Sequence, residues 1–370
     1  MAGLILALNA GSSSLKAALF EPRQDGPRAV ARSSIDNPAG AAEAIAAALQ
    51  WAGSAAGGEK LAAAGHRVVH GGARFHAATP ITPEVTDELD ALTPLAPLHQ
   101  PECVAAIRAL ARLQPDLPQV ACFDTAFHWD QPAVAQRLGL PRALHDRGIR
   151  RYGFHGLSYQ HAADRLRALD PGLAAGRVVA AHLGSGASLC AMSAGRSIDT
   201  TMGFSPLDGL LMSTRCGALD PGVVLYLLQH EKMAADDVQE LLYRCSGLLG
   251  VSDLSGDMRE LLASRDPRAA EAVELFVRRA AQLIAALAVA LGGIDGVVFT
   301  GGIGEHSPDI RGRIAAELAW LGLELADHAG GGGERRIDGA SSRIAAWVIP
   351  ADEEIVIARC VTTALELPLD

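Results

Sequence analysis

An apolar run from Leu4 to Leu8 breaks at Asn9-Ala10-Gly11-Ser12-Ser13-Ser14 and resumes at Leu15, which predicts a β-hairpin over Leu4–Leu19 closed by a tight polar turn. Side chains alternate faces along a strand, so Ser14 and Lys16 share one face while Leu15, Ala17 and Leu19 point into a core. The same grammar returns at Val178–Met192, where His182-Leu183-Gly184-Ser185-Gly186 occupies the turn. Gly11 and Gly184 stand 173 positions apart in a chain of 370 residues, so the pattern predicts a duplicated architecture, with two hairpins approaching one phosphate-bearing ligand from opposite sides of a cleft. A Gly-Ser turn can also simply end a strand; the second copy is what adds a ligand to that reading.

Between the hairpins the pattern predicts a strand at Ala29–Ser33 and a helix at Ala41–Trp51 followed by a loop at Gly53–Gly58. A short strand around Gly65–Gly72, helices at Pro83–Leu92 and Pro101–Leu113 and a buried strand at Pro118–Phe123 come next. Arg150–Gly156 marks a crossover into the second half, which opens with a helix at Ser158–Leu169. Helices follow at Val223–His230, Ala235–Cys245 and Ala269–Leu291, the first with Asp220 as cap and Pro221 at its first position. The run Leu283–Ile294 reads as a buried helix end, short of the roughly 20 residues a membrane span needs. A strand at Gly296–Thr300 runs into the glycine cluster Gly301–Glu305, then a helix at Asp309–Leu321. Gly330–Gly333 reads as a surface loop, and the chain closes with a strand at Ile344–Ile349 and a helix at Glu353–Leu365.

Composition changes this picture little. Hydrophobic residues make up 49% and charged residues 20%, the balance of a globular protein. A net charge of −10 argues against nucleic acid or an anionic membrane as partner. Cys103, Cys122, Cys190, Cys216, Cys245 and Cys360 form no C-x-x-C pair, which predicts reduced, mostly buried thiols in a cytoplasmic protein. No basic region precedes the first apolar run, so no signal peptide is expected there.

Several positions invite chemistry. The first turn is suited to an anion, with Gly11 admitting close approach, three serines as donors and Lys16 on the return strand; no Walker A loop is present. Arg67 in an apolar strand, taken alone, reads as a rim residue with a snorkelling head. Asp124, just past a buried strand, reads as a helix cap or as a ligand carboxylate at a strand's carboxyl end. His155 in an apolar loop reads as a satisfied core histidine or a catalyst. The glycines after Thr300 permit a ligand to approach backbone and a helix N-terminus, while Glu353 and Glu354 complement a helix dipole.

The ordered motifs Asn9–Lys16, His66–Gly72, Phe123–His128, Arg151–Gly156, Gly209–Arg215 and Thr300–Glu305 resemble those of the acetate kinase (acetokinase) family, within the acetate and sugar kinase, heat-shock chaperone and actin superfamily. The resemblance spans essentially the whole chain. It implies an α/β fold of two duplicated ribonuclease H-like domains, βββαβαβα, flanking a nucleotide cleft. Residues 1–148 plus about 353–370 would form the acyl-substrate domain, and 149–352 the nucleotide-binding and dimerisation domain. It further implies Mg²⁺-dependent transfer of the ATP γ-phosphoryl group to acetate, with propionate or butyrate as alternative acceptors and a non-catalytic nucleotide switch as the rival from another class.

By this resemblance Asn9 and Glu353 position Mg²⁺ (or Mn²⁺), and Ser12, Ser14 and Lys16 face the phosphoryl group. Arg67 holds the substrate, Arg215 and His155 stabilise transition-state charge, and Asp124 is the active-site carboxylate, orienting metal-bound water or Arg215. Val69, Leu98, Phe154 and Pro206 form the acyl pocket. ADP or ATP is bound by His182, Leu183, Gly184, Ser185 and Gly186, by Asp257, Met258 and Arg259, and by Gly302, Ile303, Gly304, Glu305 and His306. A homodimer without nucleic-acid or membrane partners is implied. Four positions depart from the family pattern: Ser185, Gln100 and His306, each where asparagine is usual, and Ala218 where an acid is common.

Overall fold

The computed structural model describes residues 3–10, 14–36, 40–326 and 331–369. Gly11, Ser12 and Ser13 of the first turn, and Gly330, lie outside the described residues. The chain divides into two compact units, the first made of Met1–Trp129, Phe154–His161 and Asp352–Asp370, the second of Asp130–Gly153 and Ala162–Ala351.

The first unit holds strands β1 (Leu4–Ala10), β2 (Ser14–Glu21), β3 (Arg28–Asp36), β4 (Leu61–Val68), β5 (Thr79–Pro80) and β6 (Gln119–Phe123), in the order β3-β2-β1-β4-β6-β5. The pairs β1–β2, β2–β3 and β5–β6 are antiparallel, while β1–β4 and β4–β6 are parallel. Both faces of this sheet are covered, which explains why β1 reads as an unbroken apolar run. Leu4, Leu6 and Leu8 pack with Leu15, Ala17 and Leu19 against the helices Ala41–Ala55 and Gln100–Leu113. Ile5 and Ala7 face the other way, toward Val356, Ile357 and Val361 of the C-terminal helix Glu353–Ala364. That helix lies so close to β4 that a Cβ on Gly65 would sit 2.4 Å from Ile357 Cγ2 and 2.6 Å from Val361 Cγ2.

The second unit repeats the plan. Its strands β7 (Arg177–Leu183), β8 (Ala187–Ser193), β9 (Arg196–Thr200), β10 (Gly296–Thr300), β11 (Arg335–Arg336) and β12 (Ala345–Val348) are ordered β11-β12-β10-β7-β8-β9. With β7 for β1, β10 for β4 and β12 for β6, this is the order of the first sheet, with the same parallel and antiparallel senses. The duplication expected from the hairpins therefore extends to all six strands of each sheet.

Some expectations shift. The helix predicted to end at Trp51 continues to Ala55, because the chain turns at Gly57 (φ 59) and Gly58 (φ 95) rather than at Gly53. The glycine cluster expected as a loop is a short helix, Gly301–His306; Gly301 (φ 77) supplies the sharp exit from β10 that starts it. The helix Pro267–Ala290 stops before the end of its apolar run, and Val289 is 81% exposed, so its last turn is not the buried end expected. Among the cysteines Cys103, Cys122 and Cys190 are buried, whereas Cys245 is exposed; all six are free thiols. Among the described residues no helix is long and apolar enough to cross a membrane.

Candidate functional site

In the first unit the parallel strands deliver side chains to one corner, at the carboxyl end of the sheet. Asn9 and Arg67 lie one residue before the ends of β1 and β4, Asp124 follows β6, and Glu353 and Glu354 open the C-terminal helix. Arg67 clasps Asp124 through Nε (3.1 Å to Oδ1, 3.0 Å to Oδ2) and Nη2 (2.6 Å to Oδ2). Its Nη1 donates to Asn9 Oδ1 at 3.3 Å, and Asn9 Nδ2 donates to Glu353 Oε2 at 2.7 Å and Glu354 Oε1 at 3.0 Å. Arg32 on β3 holds Asp352 at 2.5 Å and approaches Glu354 at 3.6 Å.

Asp124 is fully buried and caps no helix; its carboxylate is spent on Arg67. Burial drives its carboxyl above the ordinary value and Glu353 adds to that, while Arg67 pulls it down. Burial works against the Arg67 charge, yet Asp124 and Glu353 outweigh it and hold the guanidinium above its ordinary pKa. Asp124, Asp352, Glu353 and Glu354 face Arg32 and Arg67, which leaves two negative charges in excess. An oxygen-only donor set with surplus negative charge fits a hard divalent cation. Among the described residues no group of three or more His, Cys, Asp or Glu is arranged to hold a metal by itself.

His155 is nearly buried and adopts a left-handed backbone, φ 57, a strained state for a non-glycine residue. Its neighbours hold it there. His128 Nε2 donates to the Phe154 carbonyl at 2.9 Å, and the Gly156 amide donates to the Asp124 carbonyl at 3.0 Å. Val69 and Phe154 are buried and Leu98 half-buried, all in the first unit, as are Ser14 and the exposed Lys16 on β2. Ser12 lies outside the described residues.

Pro206 and Arg215 belong to the second unit, where Arg215 Nη1 donates to the Pro206 carbonyl at 2.7 Å. The same unit contains a cavity of about 880 Å³. Gly184, Ser185, Asp257, Met258, Arg259, Gly302, Ile303 and His306, which the family resemblance implies for a nucleotide, line it. His182, Leu183, Gly186, Gly304 and Glu305 do not. Leu183 and Gly304 are buried behind the wall, and the Glu305 carboxylate is turned to the Ala351 amide at 2.9 Å. Ser213, Leu262, Ala263 and Pro308 line the cavity without having been anticipated. Ser213 arrives because its amide donates to the Ser185 carbonyl at 3.2 Å, a tertiary contact with no local signature. Leu262 was accessible in principle, one turn after Met258 on the helix Met258–Ala263. Asp257 caps that helix through the Arg259 amide and holds the exposed Arg259 guanidinium at 2.5 Å; this hydrogen bonding lowers its pKa to about 2.

Two sheets of one strand order, each a hairpin feeding parallel strands, make this an α/β protein of the actin-like ATPase fold. The crystal structure of Porphyromonas gingivalis acetate kinase superposes with a TM-score of 0.84 at 32% identity, over 98% of this chain and 100% of that one. A propionate kinase from Francisella tularensis gives 0.87 at 34% identity, over 97% and 98%. An acetate kinase of Rhodopseudomonas palustris is 51% identical over 97% of this chain and 98% of its own length. Residues 24–359 match the acetokinase family, and the chain belongs to it. It is a kinase of the class that phosphorylates a carboxyl group.

Proposed function

We propose that the protein reversibly transfers the γ-phosphoryl group of ATP to acetate, giving acetyl phosphate and ADP by direct in-line transfer. The observation that carries this reading is Arg67, a half-buried guanidinium fixed by Asp124 in the unit that also holds the buried apolar side chains Val69 and Phe154. A guanidinium fork held in place, together with buried apolar side chains in the same unit, suits a small carboxylate with a short alkyl tail. Acetate is ionised at neutral pH, so no general base is required, and Asp124 serves instead to orient Arg67. Phosphoryl transfer asks chiefly for alignment and for positive charge around the moving group. Arg67, Arg215, Lys16 and His155 supply that charge, with the Ser12 and Ser14 hydroxyls as donors. Arg215 keeps its guanidinium plane by its bond to the Pro206 carbonyl. The cavity of about 880 Å³ in the second unit has room for a nucleoside, with Gly184, Gly302 and Ile303 against it and Arg259 available to exchange Asp257 for a phosphate. Asn9 and Glu353 are the residues that would hold Mg²⁺ or Mn²⁺. When bound, the ion supplies neutralising charge to the phosphoryl oxygens.

The test is hydroxylamine trapping of the acyl phosphate formed from ATP and Mg²⁺ with acetate, propionate or butyrate. Most efficient formation from acetate is expected; no hydroxamate from any of them would overturn the reading. Similarity to a propionate kinase favours some activity with propionate, since one methylene in an apolar pocket changes binding by only ~1–3 kcal/mol. In the same assay Val69→Ala should raise the propionate-to-acetate ratio of kcat/KM, and an unchanged ratio would remove Val69 from acyl selection.

We also infer that the protein works as a cytoplasmic homodimer. The apolar helix Pro221–Gln229 buries none of its residues within the chain, and Val223, Leu225 and Tyr226 are 40%, 52% and 51% exposed. An apolar face of this kind fits a second copy of the chain. Sedimentation should give twice the chain mass, and Leu225→Asp should shift it to the monomer. A monomeric parent protein would exclude the dimer.

A further inference from the structure

Gln100 stands where the family pattern has asparagine, and it is fully buried at the start of the helix Gln100–Leu113. Its amide is satisfied on every side. Oε1 accepts from the His70 amide at 3.2 Å, and Nε2 donates to the His70 carbonyl at 3.2 Å and to the Leu89 carbonyl at 3.0 Å. Both polar groups of residue 70 are thus held by one side chain. His70 is itself completely buried; its Nδ1 accepts from the Gly72 amide at 2.8 Å, and its ring meets Phe154 edge-on with centroids 5.6 Å apart. The Gly71 amide donates to Thr125 Oγ1 at 3.1 Å, which fixes the next peptide.

We propose that Gln100 is a positioning residue for acyl selection: by clamping the peptide of His70 it sets where Val69 and, through the His70 ring, Phe154 stand. The inference rests on the reading of Val69 and Phe154 as walls of the acyl site. A glutamine amide spans from the helix to His70 while still reaching Leu89, and asparagine is one methylene shorter. Gln100→Asn at this site therefore gives up part of the clamp, and Gln100→Ala gives up all three of its hydrogen bonds. A loosened wall admits a longer acyl chain more readily.

The experiment compares wild type, Gln100→Asn, Gln100→Ala and Val69→Ala, with the Gln100→Asn/Val69→Ala double variant, for KM of acetate, KM of ATP and the propionate-to-acetate ratio of kcat/KM. Thermal midpoints are recorded in parallel. The expected result for Gln100→Ala is an acetate KM raised about tenfold with an unchanged ATP KM. The ratio should rise about threefold, with Gln100→Asn in between. Because Gln100 acts through Val69, the double variant should fall short of the product of the single effects. If Gln100→Ala does not fold, Gln100→Asn carries the same comparison. A folded variant with wild-type acetate KM and ratio overturns the inference, as do effects on Val69 and Gln100 that multiply independently. Wild type that forms no acyl phosphate overturns the functional reading itself, and the inference with it.

Discussion

Arg67→Ala is expected to lower kcat/KM for acetate by about a thousandfold, in the range seen when a preorganised charge donor is removed from a reacting site. Two effects combine. The substrate carboxylate loses its fork, and Asp124, fully buried, loses the partner that makes three hydrogen bonds to it. Breaking a buried pair from one side is costly because the remaining charge stays desolvated. The variant should therefore also melt at a lower temperature. Arg67→Lys retains a charge but not the planar two-point clasp, and should recover stability better than activity. Asp124→Asn keeps the shape and frees Arg67 to rotate, so its loss should appear in turnover at every Mg²⁺ concentration. Trapped acyl phosphate and a melting curve for each variant separate the two effects. Retention of acetate kcat/KM within a few-fold in Arg67→Ala would return Arg67 to the role of a rim residue.

Acid should destabilise the protein through two histidines. Burial lowers the pKa of His66 and of His128 from 6.5 to about 4, against the opposing pull of their hydrogen bonds to Gln119 and to the Phe154 carbonyl. Between pH 6.5 and about 4 the unfolded chain binds protons at these positions and the folded chain does not. Stability is thus fully present above pH 6.5 and falls as the pH drops toward 4, by ~1.4 kcal/mol per pH unit for each histidine. Urea midpoints measured across that interval test this, because carboxylates also contribute to the total slope. The His66→Asn/His128→Asn variant should show a flatter dependence than wild type. Parallel curves would mean that these rings do not govern the acid limit.

Much of the fold was legible because it is written locally. Both hairpins announce themselves by an apolar run, a Gly-Ser turn and a second run, and the Asp220-Pro221 start fixes where its helix begins. The two-residue strands β5 and β11 are too short to carry a period, and they exist because an edge of each sheet is there to receive them. The helix over Gly301–His306 hides behind glycines, whose low helix propensity is overridden by packing against β7 and β10. In the candidate site, residue types were recognisable while partnerships were not. Arg67 finds Asp124 across 57 positions, and Asn9 finds Glu353 across 344. No periodicity couples residues at such separations; the family resemblance put Asn9 with Glu353 but did not put Arg67 with Asp124. Gln100 was visible as a departure from pattern, and its three hydrogen bonds to His70 and Leu89 needed coordinates.

The return of the C-terminal helix to the first sheet sets a timetable for biosynthesis. Asn9 leaves the ribosome 344 residues before its partner Glu353 is made. Until then Ile5, Ala7, Val120 and Cys122 lack the cover of Val356, Ile357 and Val361, so the unit begun first is completed last. A chain interrupted between Asp309 and the final helix carries the residues of the arginine clasp and of the second unit's cavity but not the carboxylates at Glu353 and Glu354. On the function proposed above, such incomplete translation products would be silent binders of nucleotide rather than slow, unregulated kinases.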